Sequence, residues 1–585
     1  MSSFASIRSE RQSKQPKSFI SSAPTASEDS DVGKALVPSA PKDVSAPERL
    51  YQSLPASVDV RVTSQAGRGV YAKQPLKPGE IIFATKPHVH VLSTRNLEHF
   101  CSACASPAAE NDLKRCTRCR VVWYCNTECQ NGDWSTHKQE CSALQRWAAG
   151  APSPDVAIPA EPIRCLGRLL WTKQKKRLSS VWAREVDSMQ SHRTSLPPEA
   201  TESHTHFAHA VVKYLGLNAP GELGPFGIQT PADLVDLISR FTTNSLTLTA
   251  PSLTPIGVTV SPPVALINHS CEPNAVVVFP GGSTSSKAQE PLMNVIAIRE
   301  IAPEEEVLTA YIDTTLPKEQ RQHALRITYN FACKCTLCAT TTGPDPREAM
   351  ECPKGCGGTC LLPTEEDPLT RCVKCKAAVA STDEVLDAAR IGQEALDKAT
   401  SLHLSNLPKA LQLTTNILPI LASARLLPTA HPRLALSRLH QSLLLSSFPT
   451  PLNQDALDAL VRATAATTNA LSALLCPGHP IRALARAELG KLLAVDEPAP
   501  RDKQNETGNV YPPSGAPRLR LAYESLVQAR AELLVGFGVR NEGGEVGREV
   551  REMVVRVERE LAAWSQGVKN VLQDAPPVAS DKQRR

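Results

Sequence analysis

Long apolar runs and aromatic residues are both scarce in this sequence. No stretch is long and apolar enough to cross a membrane as a helix, and Met1–Lys17 is polar and basic, unlike a secretory signal. Only 4% of the residues are aromatic, whereas 48 of the 585 are proline, which predicts long loops. An excess of one charge is also missing, because a formal net charge of +5 is small for this length and leaves direct DNA binding open. We therefore expect a soluble, intracellular protein of the cytoplasm and nucleus.

Cysteine is plentiful by contrast, and most of the 18 cysteines fall into three clusters. Intracellular thiols stay reduced, so clustered cysteines predict metal ligands rather than disulfides. The first cluster consists of four closely spaced pairs: Cys101-x2-Cys104, Cys116-x2-Cys119, Cys125-x3-Cys129 and His137-x3-Cys141. Eight such ligands suit two closed tetrahedral zinc sites, which are structural because no position remains for water. The spacing alone leaves open which pairs share an ion.

The second cluster is one ligand short of a tetrahedral site. It contains Cys333, Cys335 and Cys338. Cys271, which ends the polar segment Asn268-His269-Ser270-Cys271, is the obvious fourth ligand. A zinc ion held by these four thiolates would join this segment to the chain around Tyr329. The sequence therefore predicts a pocket between the two segments.

The third cluster contains two further pairs, Cys352-x3-Cys356 and Cys372-x2-Cys375, with Cys360 between them. The residues between these ligands favour turns, which is typical of the knuckles of a zinc ribbon. We therefore expect a fourth, zinc-ribbon-like site within 350–378, and the spacing does not decide between Cys356 and Cys360 as a ligand. The remaining cysteines, Cys165 and Cys476, lie in apolar helical contexts and are expected in the core.

The hydrophobic pattern predicts an α+β, multidomain protein. Short alternating runs indicate strands between Val58 and Leu92 and again between Ser245 and Ile312. From Ser381 onward the period is helical; Ser381 and Glu384 form a predicted capping box, and two His-Pro pairs suggest tetratricopeptide-like hairpins. The expected order is a disordered tail (1–50), a β segment (57–100), the first cluster (101–141), a helical insert (142–242), a second β segment (243–315) with a Gly/Ser-rich loop at Pro280–Pro291, the second cluster (316–340), the ribbon-like site (350–378), a helical domain (381–572) and a second disordered tail (573–585).

The first cluster resembles the MYND zinc finger, with Tyr124 before Cys125 and Trp134 before His137-Lys138. This resemblance implies that the pairs interleave. One zinc ion would bind Cys101, Cys104, Cys125 and Cys129, and the other Cys116, Cys119, His137 and Cys141. MYND fingers bind proline-rich peptides, so the resemblance also implies a partner-docking role, beside the plainer alternative of a purely structural finger.

Around this finger, residues 57–340 resemble the SET domain of protein-lysine methyltransferases, and the combination is most similar to the SET–MYND (SMYD) family. Four motifs carry the likeness: Gly67-Arg68-Gly69, Asn268-His269-Ser270-Cys271, the strand Leu308–Asp313, and the post-SET cysteines that follow Tyr329. It implies a β-rich SET fold split by the finger, a post-SET zinc site and a C-terminal α-helical, tetratricopeptide-like domain. One departure is visible, since Pro303-Glu304-Glu305-Glu306 lacks the family's glycine, in a turn that we expect outside the pocket.

The resemblance also implies an S-adenosylmethionine site and a protein substrate, histone or non-histone, that carries a target lysine. We expect no membrane partner. The implied cofactor-binding residues are Gly67, Arg68, Gly69, Asn244, Asn268, the main chain of His269, Tyr311 and Phe331. Tyr311 would orient the lysine amine and Tyr329 would line its channel, which makes them the candidate catalytic residues. The alternative is a catalytically weak adaptor that recruits partners through the finger and the helical domain, but the presence of Tyr311 and Asn268 favours the enzyme.

Overall fold

The computed structural model describes residues 50–64, 67–108, 113–281, 290–339, 343–499 and 511–574. The predicted disordered tails and the Gly/Ser-rich loop lie wholly or largely outside these residues. Contacts divide the chain into two compact units: the first comprises the described residues up to 339 together with Val535–Glu545, and the second comprises 343–534 and 546–574. None of the helices in the described ranges is both long enough and apolar enough to cross a membrane.

The first unit is built from several small sheets rather than one large one. Its strands are β1 (Val58–Thr63), β2 (Gly67–Ala72), β3 (Ile81–Thr85), β4 (Val89–Leu92), β5 (Lys114–Arg115), β6 (Trp123–Tyr124), β7 (Ser245–Thr249), β8 (Pro255–Val260), β9 (Asn268–His269), β10 (Ala275–Val278), β11 (Met293–Ala297) and β12 (Leu308–Thr309). Three of the pairings bring together strands that are distant in sequence: the sheets β10–β11–β3 and β4–β8–β7 and the parallel pair β9–β12. These pairings join strands from before and after the finger and position the predicted pocket segments.

The helices of the first unit are α1 (Thr127–Ala149), α2 (Glu161–Lys176), α3 (Val181–Ser188), α4 (Pro198–Leu215), α5 (Pro231–Asn244), α6 (Lys318–Tyr329) and α7 (Thr336–Ala339). Their starts follow ordinary capping rules: at α5 the Thr230 side chain accepts from the Asp233 amide in a capping box, and Pro231 needs no hydrogen bond at the first position. The apolar side of α2 is fully buried and includes Leu166, Leu169 and Leu170. Finger, insert and strands share one hydrophobic core.

The second unit begins with a short hairpin and continues as helices. Its elements are β13 (Ala349–Glu351), β14 (Thr359–Leu361), α8 (Thr382–Leu402), α9 (Leu407–Ser423), α10 (Arg433–Ser446), α11 (Gln454–Leu474), α12 (Pro480–Leu493), α13 (Ala516–Gly536) and α14 (Gly544–Asp574). The predicted α+β class with a C-terminal helical region is confirmed, whereas the tetratricopeptide-like comparison stays a prediction. The predicted capping box at Ser381 is wrong, because its ψ of 58° is not the extended backbone of an N-cap and its side chain makes no capping hydrogen bond.

The loop between α13 and α14 packs within the first unit. The Val539 amide donates to the Gly79 carbonyl at 3.0 Å, and the Glu545 amide donates to the Pro280 carbonyl at 2.9 Å. Gly538 has a φ of +90°, in the region that favours glycine, and lies against Ile81 and Ile296. The C-terminal third therefore contributes a short segment to the packing around β3 and β11.

Candidate active site and zinc sites

The finger brings its eight ligands into two groups. One group contains Cys101, Cys104, Cys125 and Cys129, and the other contains Cys116, Cys119, His137 and Cys141. Within each group the ligand atoms lie within 4.8 Å of one another, as four ligands around one zinc ion require. The interleaved pairing that the resemblance implied is thus the pairing of the structure, and both donor sets fit a closed structural zinc site.

The second cluster also converges as predicted, with Cys271, Cys333, Cys335 and Cys338 in one group. His269 connects this group to the candidate catalytic tyrosine: its Nε2 lies 3.3 Å from the Cys271 sulfur, and its Nδ1 accepts from the Tyr311 amide at 3.0 Å. Burial lowers the pKa of His269 to about 4, so the ring is neutral and Nδ1 can accept. The His269 ring therefore connects the cysteine group to the backbone of Tyr311.

The third cluster resolves the choice that the spacing left open. Cys352, Cys356, Cys372 and Cys375 form the group, whereas Cys360 is fully buried in the apolar core beside them. Cys165 is a core residue as expected. The expectation for Cys476 is wrong, because it lies in the turn after α11, only partly buried, where the helix has already ended at Leu474.

Two tyrosines meet at the centre of the predicted pocket. The Tyr311 hydroxyl donates to the Ile267 carbonyl at 2.6 Å, and its ring centroid lies 4.8 Å from that of Tyr329. The Tyr329 hydroxyl reaches back to the Tyr311 carbonyl at 3.5 Å. Burial raises the pKa of both phenols, so both stay protonated at neutral pH and remain hydrogen-bond donors. Phe331 lies nearby, with its ring centroid 6.0 Å from that of His269.

Asn268 joins the glycine-rich turn to the tyrosine strand. The parallel pairing of β9 with β12 places Asn268 opposite Leu308. Its Nδ2 donates to the Arg68 carbonyl at 3.0 Å and to Oε1 of Glu306 at 2.7 Å. Among the described residues no donor reaches its Oδ1, which is therefore free to accept from an ammonium group.

Glu306 is a site residue that the sequence analysis missed, and the expectation that its turn lies outside the pocket is wrong. A Cβ at Gly69 would lie 2.3 Å from Oε1 of Glu306, so the carboxylate is packed against that glycine. The turn is tight enough to put Glu304 at a φ of +71°, which explains why a glycine suits it. One sequence signal could have indicated this position of Glu306. Side chains two residues apart in an extended chain lie on the same side, so Glu306 shares a side with Leu308, which pairs with Asn268.

A loop after α3 completes the surroundings of this turn, and the sequence analysis missed it too. The Arg68 guanidinium donates to the Ser188 carbonyl. Asn244 donates through Nδ2 to the Gln190 carbonyl at 2.8 Å and to the Arg240 carbonyl at 2.7 Å. Arg68 and Asn244 thus hold neighbouring residues of one loop. No pattern of residue types marked that loop, since its main-chain carbonyls make both contacts.

Comparisons with known proteins place these features in a family context. The profile of the MYND finger matches residues 101–141. The chain is 32% identical over 281 residues to the N-lysine methyltransferase SMYD2 of Homo sapiens, 30% identical over 282 residues to SMYD2-A of Danio rerio, and 31% identical over 281 residues to SMYD2-B of Xenopus laevis. Each alignment covers 47% of this chain and 58 to 59% of the relative, so the chain spans little more than half the length of the curated relatives it matches.

A solved structure of the SET domain of LSMT, bound to lysine and AdoHcy, aligns with 86% of this chain and 88% of that one, at 13% identity and a TM-score of 0.28. Fold and ligand groups define an α+β protein that contains a MYND finger. The curated relatives then confirm the particular resemblance, which is to the SET–MYND family of protein-lysine methyltransferases.

Proposed function

We propose that this chain is an S-adenosylmethionine-dependent protein-lysine N-methyltransferase that acts on histone or non-histone proteins. The observation that carries the proposal is the pair of partly buried, hydrogen-bonded tyrosines, Tyr311 and Tyr329, fixed beside Asn268 and the Gly67–Gly69 turn. Relatives named N-lysine methyltransferases, about 30% identical over nearly half of the chain, support it.

The cofactor would bind where the glycine turn, β9 and the post-SET segment meet. The free Oδ1 of Asn268 would accept from the amino group of the methionine end. The turn would approach it closely because Gly67 adopts the left-handed conformation that shapes the turn and Gly69 carries no side chain. The main chain of His269 and the ring of Phe331 would hold the adenine, and Asn244 and Arg68 would fix the loop at 188–190 around it. When bound, S-adenosylmethionine supplies the sulfonium methyl group.

The two tyrosines would then prepare the lysine amine. Tyr311 is anchored at both ends, through its hydroxyl to Ile267 and through its amide to His269, so it can orient the amine without reorganising. An apolar channel beside Tyr329 would lower the pKa of an entering lysine by desolvation, which favours the neutral, nucleophilic amine. Alignment of the two reacting atoms supplies much of the acceleration of such an in-line displacement.

Incubation of the purified chain with S-adenosylmethionine, histones and cell extract, followed by mass spectrometry of lysine residues, tests this function. We expect added methyl groups on lysine in at least one protein and no such product when the cofactor is omitted. If the chain binds S-adenosylmethionine in a calorimeter but methylates no protein, that result supports the adaptor function. If it does not bind the cofactor, the proposed cofactor site is wrong.

The adaptor alternative has one observation in its favour, an exposed aromatic ring on the finger. Trp134 of α1 is 38% exposed although it contacts the ring of the ligand His137. Exposed aromatic rings are the usual contacts of proline-rich peptides, so we propose such a peptide as a partner here. Fluorescence polarisation of a labelled proline-rich peptide checks it: Trp134→Ala should abolish binding and Trp564→Ala, at another exposed tryptophan, should not.

We also propose that the protein works in the cytoplasm and nucleus. The supporting observation is the four groups of closely spaced potential metal ligands, since clustered cysteines serve as metal ligands rather than disulfides in reducing compartments. Imaging of a fluorescent fusion in cells would check this location, and secretion of the fusion would contradict it.

A further inference from the structure

The second zinc site of the finger extends beyond its four ligands. His137 directs Nε2 toward Cys119, 3.6 Å from its sulfur, while its Nδ1 lies 2.9 Å from Oε2 of Glu140 on the same helix. The imidazole is fully buried and Glu140 is only 1% exposed. A ligating nitrogen must be free of its proton, and a carboxylate at Nδ1 holds the proton on the far side of the ring. Glu140 therefore selects the ligating tautomer of His137.

Glu140 in turn depends on a cation from outside the finger. Arg168, on α2, donates to the same carboxylate oxygen at 2.5 Å and makes two parallel hydrogen bonds of 3.0 Å to Asp133 of α1. The Tyr124 hydroxyl also donates to Asp133, at 2.9 Å. Arg168 is 4% exposed, so this guanidinium is the buried cation that offsets the charge of both carboxylates. A planar fork of five donors suits this double role, which an ammonium group could not fill.

We propose that Arg168 is a positioning residue for the second zinc ion of the finger, acting through Glu140 and His137, and that zinc binding stabilises α2 in return. Removing the guanidinium would leave Glu140 buried without a cation, so the carboxylate would turn away and release the ring. Coupling of this kind is reciprocal, because each partner stabilises the state that the other prefers.

This coupling reaches a strand outside the finger. Arg164, one turn before Arg168 on α2, donates through Nη2 to the Leu92 carbonyl at the end of β4, at 2.7 Å. Zinc in the finger thus supports the helix that caps this strand. The finger is accordingly an integral part of the first unit, with which it shares one hydrophobic core.

The test uses the full chain loaded with zinc and the variant Arg168→Met, which removes the charge and keeps most of the volume. Excess chelator and a colorimetric indicator give the release rate, and alkylation read by mass spectrometry shows which thiols are freed. Loss of an outer-shell partner costs about 10 to 100-fold in metal affinity. We expect one zinc ion to leave faster by roughly that factor, with Cys116, Cys119 and Cys141 alkylated before the other ligands.

Arg146→Met is the matched control. Arg146 lies on the finger helix α1 and donates to the carbonyls of Tyr214 and Leu215, which are not zinc ligands. It should release zinc as the wild type does. Wild-type release and wild-type alkylation order in Arg168→Met would overturn the proposal, and so would uniformly faster release of all ions.

Glu140→Gln keeps the inference testable where Arg168→Met does not fold. The amide retains an acceptor for Nδ1–H but loses the charge that Arg168 pairs with, so release from the same site should accelerate by a smaller factor. In the double variant the acceleration should not exceed that of Arg168→Met alone, because both changes break one pathway. Unchanged release in Glu140→Gln, or fully additive effects in the double variant, would contradict the pathway.

Discussion

At the scale of single residues, two glycines of one turn serve different purposes. Gly67 has a φ of +71° and open space where a Cβ would lie, so only its backbone conformation requires glycine. Gly69 has no such conformation, but its missing side chain leaves room for the Glu306 carboxylate and the Asn268 amide. Gly67 therefore contributes mainly to folding stability, whereas Gly69 maintains the geometry of the site.

Alanine at the two positions should separate these effects. Gly67→Ala should lower the free energy of unfolding by about 1 kcal/mol through backbone strain and leave the affinity for S-adenosylmethionine nearly unchanged. Gly69→Ala should push Glu306 and Asn268 out of place. If the overpacking of about 1–3 kcal/mol falls on the cofactor site, the dissociation constant should rise by about 5- to 150-fold. Urea unfolding and calorimetric titration measure the two quantities. Equal losses of affinity in both variants would contradict the assignment of Gly69.

A buried histidine away from the tyrosines should give the first unit a pH-dependent stability. Burial, helped by the charge of Arg168, lowers the pKa of His90 to about 4, from 6.5 when exposed. Between these values the unfolded chain binds a proton that the folded chain excludes, so folding stability falls as pH drops from about 6.5 to about 4. The full effect is at most about 3 kcal/mol.

The prediction for His90 is that His90→Gln weakens this pH dependence, because glutamine can still donate to the Ser102 carbonyl but does not titrate. Urea unfolding between pH 5 and pH 8 measures it, above the range in which acid releases zinc from thiolates. A slope identical to that of the wild type would show that His90 is not the group responsible.

At the scale of elements, the helices of the second unit are joined by a buried ion pair. Arg518 near the start of α13 donates to Asp458 of α11 at 2.9 Å and to the Leu493 carbonyl at the end of α12. Both charged side chains are only 2% exposed. This pair fixes how three helices pack. Its effect on the free energy of unfolding is largest when one partner is removed, because the other charge is then left buried and unpaired.

Asp458→Ala should therefore lower the free energy of unfolding of the second unit by about 3–5 kcal/mol, since it strands a buried guanidinium. The double variant Asp458→Leu/Arg518→Met should recover most of that loss. Asp387→Ala, at an exposed pair with Arg390, is the control and should change stability too little to resolve. Equal losses at the buried and the exposed pair would rule out burial as the cause.

The elements also show what could be predicted from sequence. Helices such as α11 and α13 carry a continuous apolar period, so their existence followed directly from the pattern. The cap at Ser381 did not, because capping depends on a backbone angle that the residue types do not fix. Likewise the role of Glu306 depends on the long-range pairing of β9 with β12, which no local pattern contains.

The zinc ligands were the part of the site most open to prediction. Spacing alone grouped these cysteines and the histidine into clusters, because short pairs with turn-forming residues between them have few other uses. It could not choose Cys356 over Cys360, which differ only in whether the side chain faces the ligand group or the apolar core. The role of the segment 188–190 could not be predicted from sequence, because its main-chain carbonyls rather than its side chains accept from Arg68 and Asn244.

At the scale of the whole molecule, the described residues contain four groups of four potential zinc ligands, which divide between the two units. The two finger groups and the group with Cys271 belong to the first unit, and the group with Cys352 and Cys375 opens the second. This last group shares its core with Val385, Leu421 and Leu436 of the helices that follow. Metal binding there should therefore stabilise the start of the helical unit.

Zinc content should be near four per chain, and Cys372→Ser should reduce it to three while lowering the unfolding midpoint of the second unit. Atomic emission on the purified chain gives the stoichiometry, and limited proteolysis reports where the chain opens. Cys165→Ser, at a buried cysteine outside every ligand group, should leave the content at four. A wild-type content near three, unchanged in Cys372→Ser, would remove the ribbon-like site.

Lysine methylation by the wild type and by Tyr311→Phe, with cofactor affinity measured on both, tests the central proposal most directly. The phenylalanine keeps the ring packed against Tyr329 but loses the hydroxyl that reaches Ile267. Loss of one preorganised donor typically costs about 10²–10³-fold in turnover. We predict methyllysine from the wild type, a loss of that order in the variant and nearly equal S-adenosylmethionine affinity in both. Equal methylation by the two proteins, or none by the wild type despite cofactor binding, would contradict the role of Tyr311 in methyl transfer.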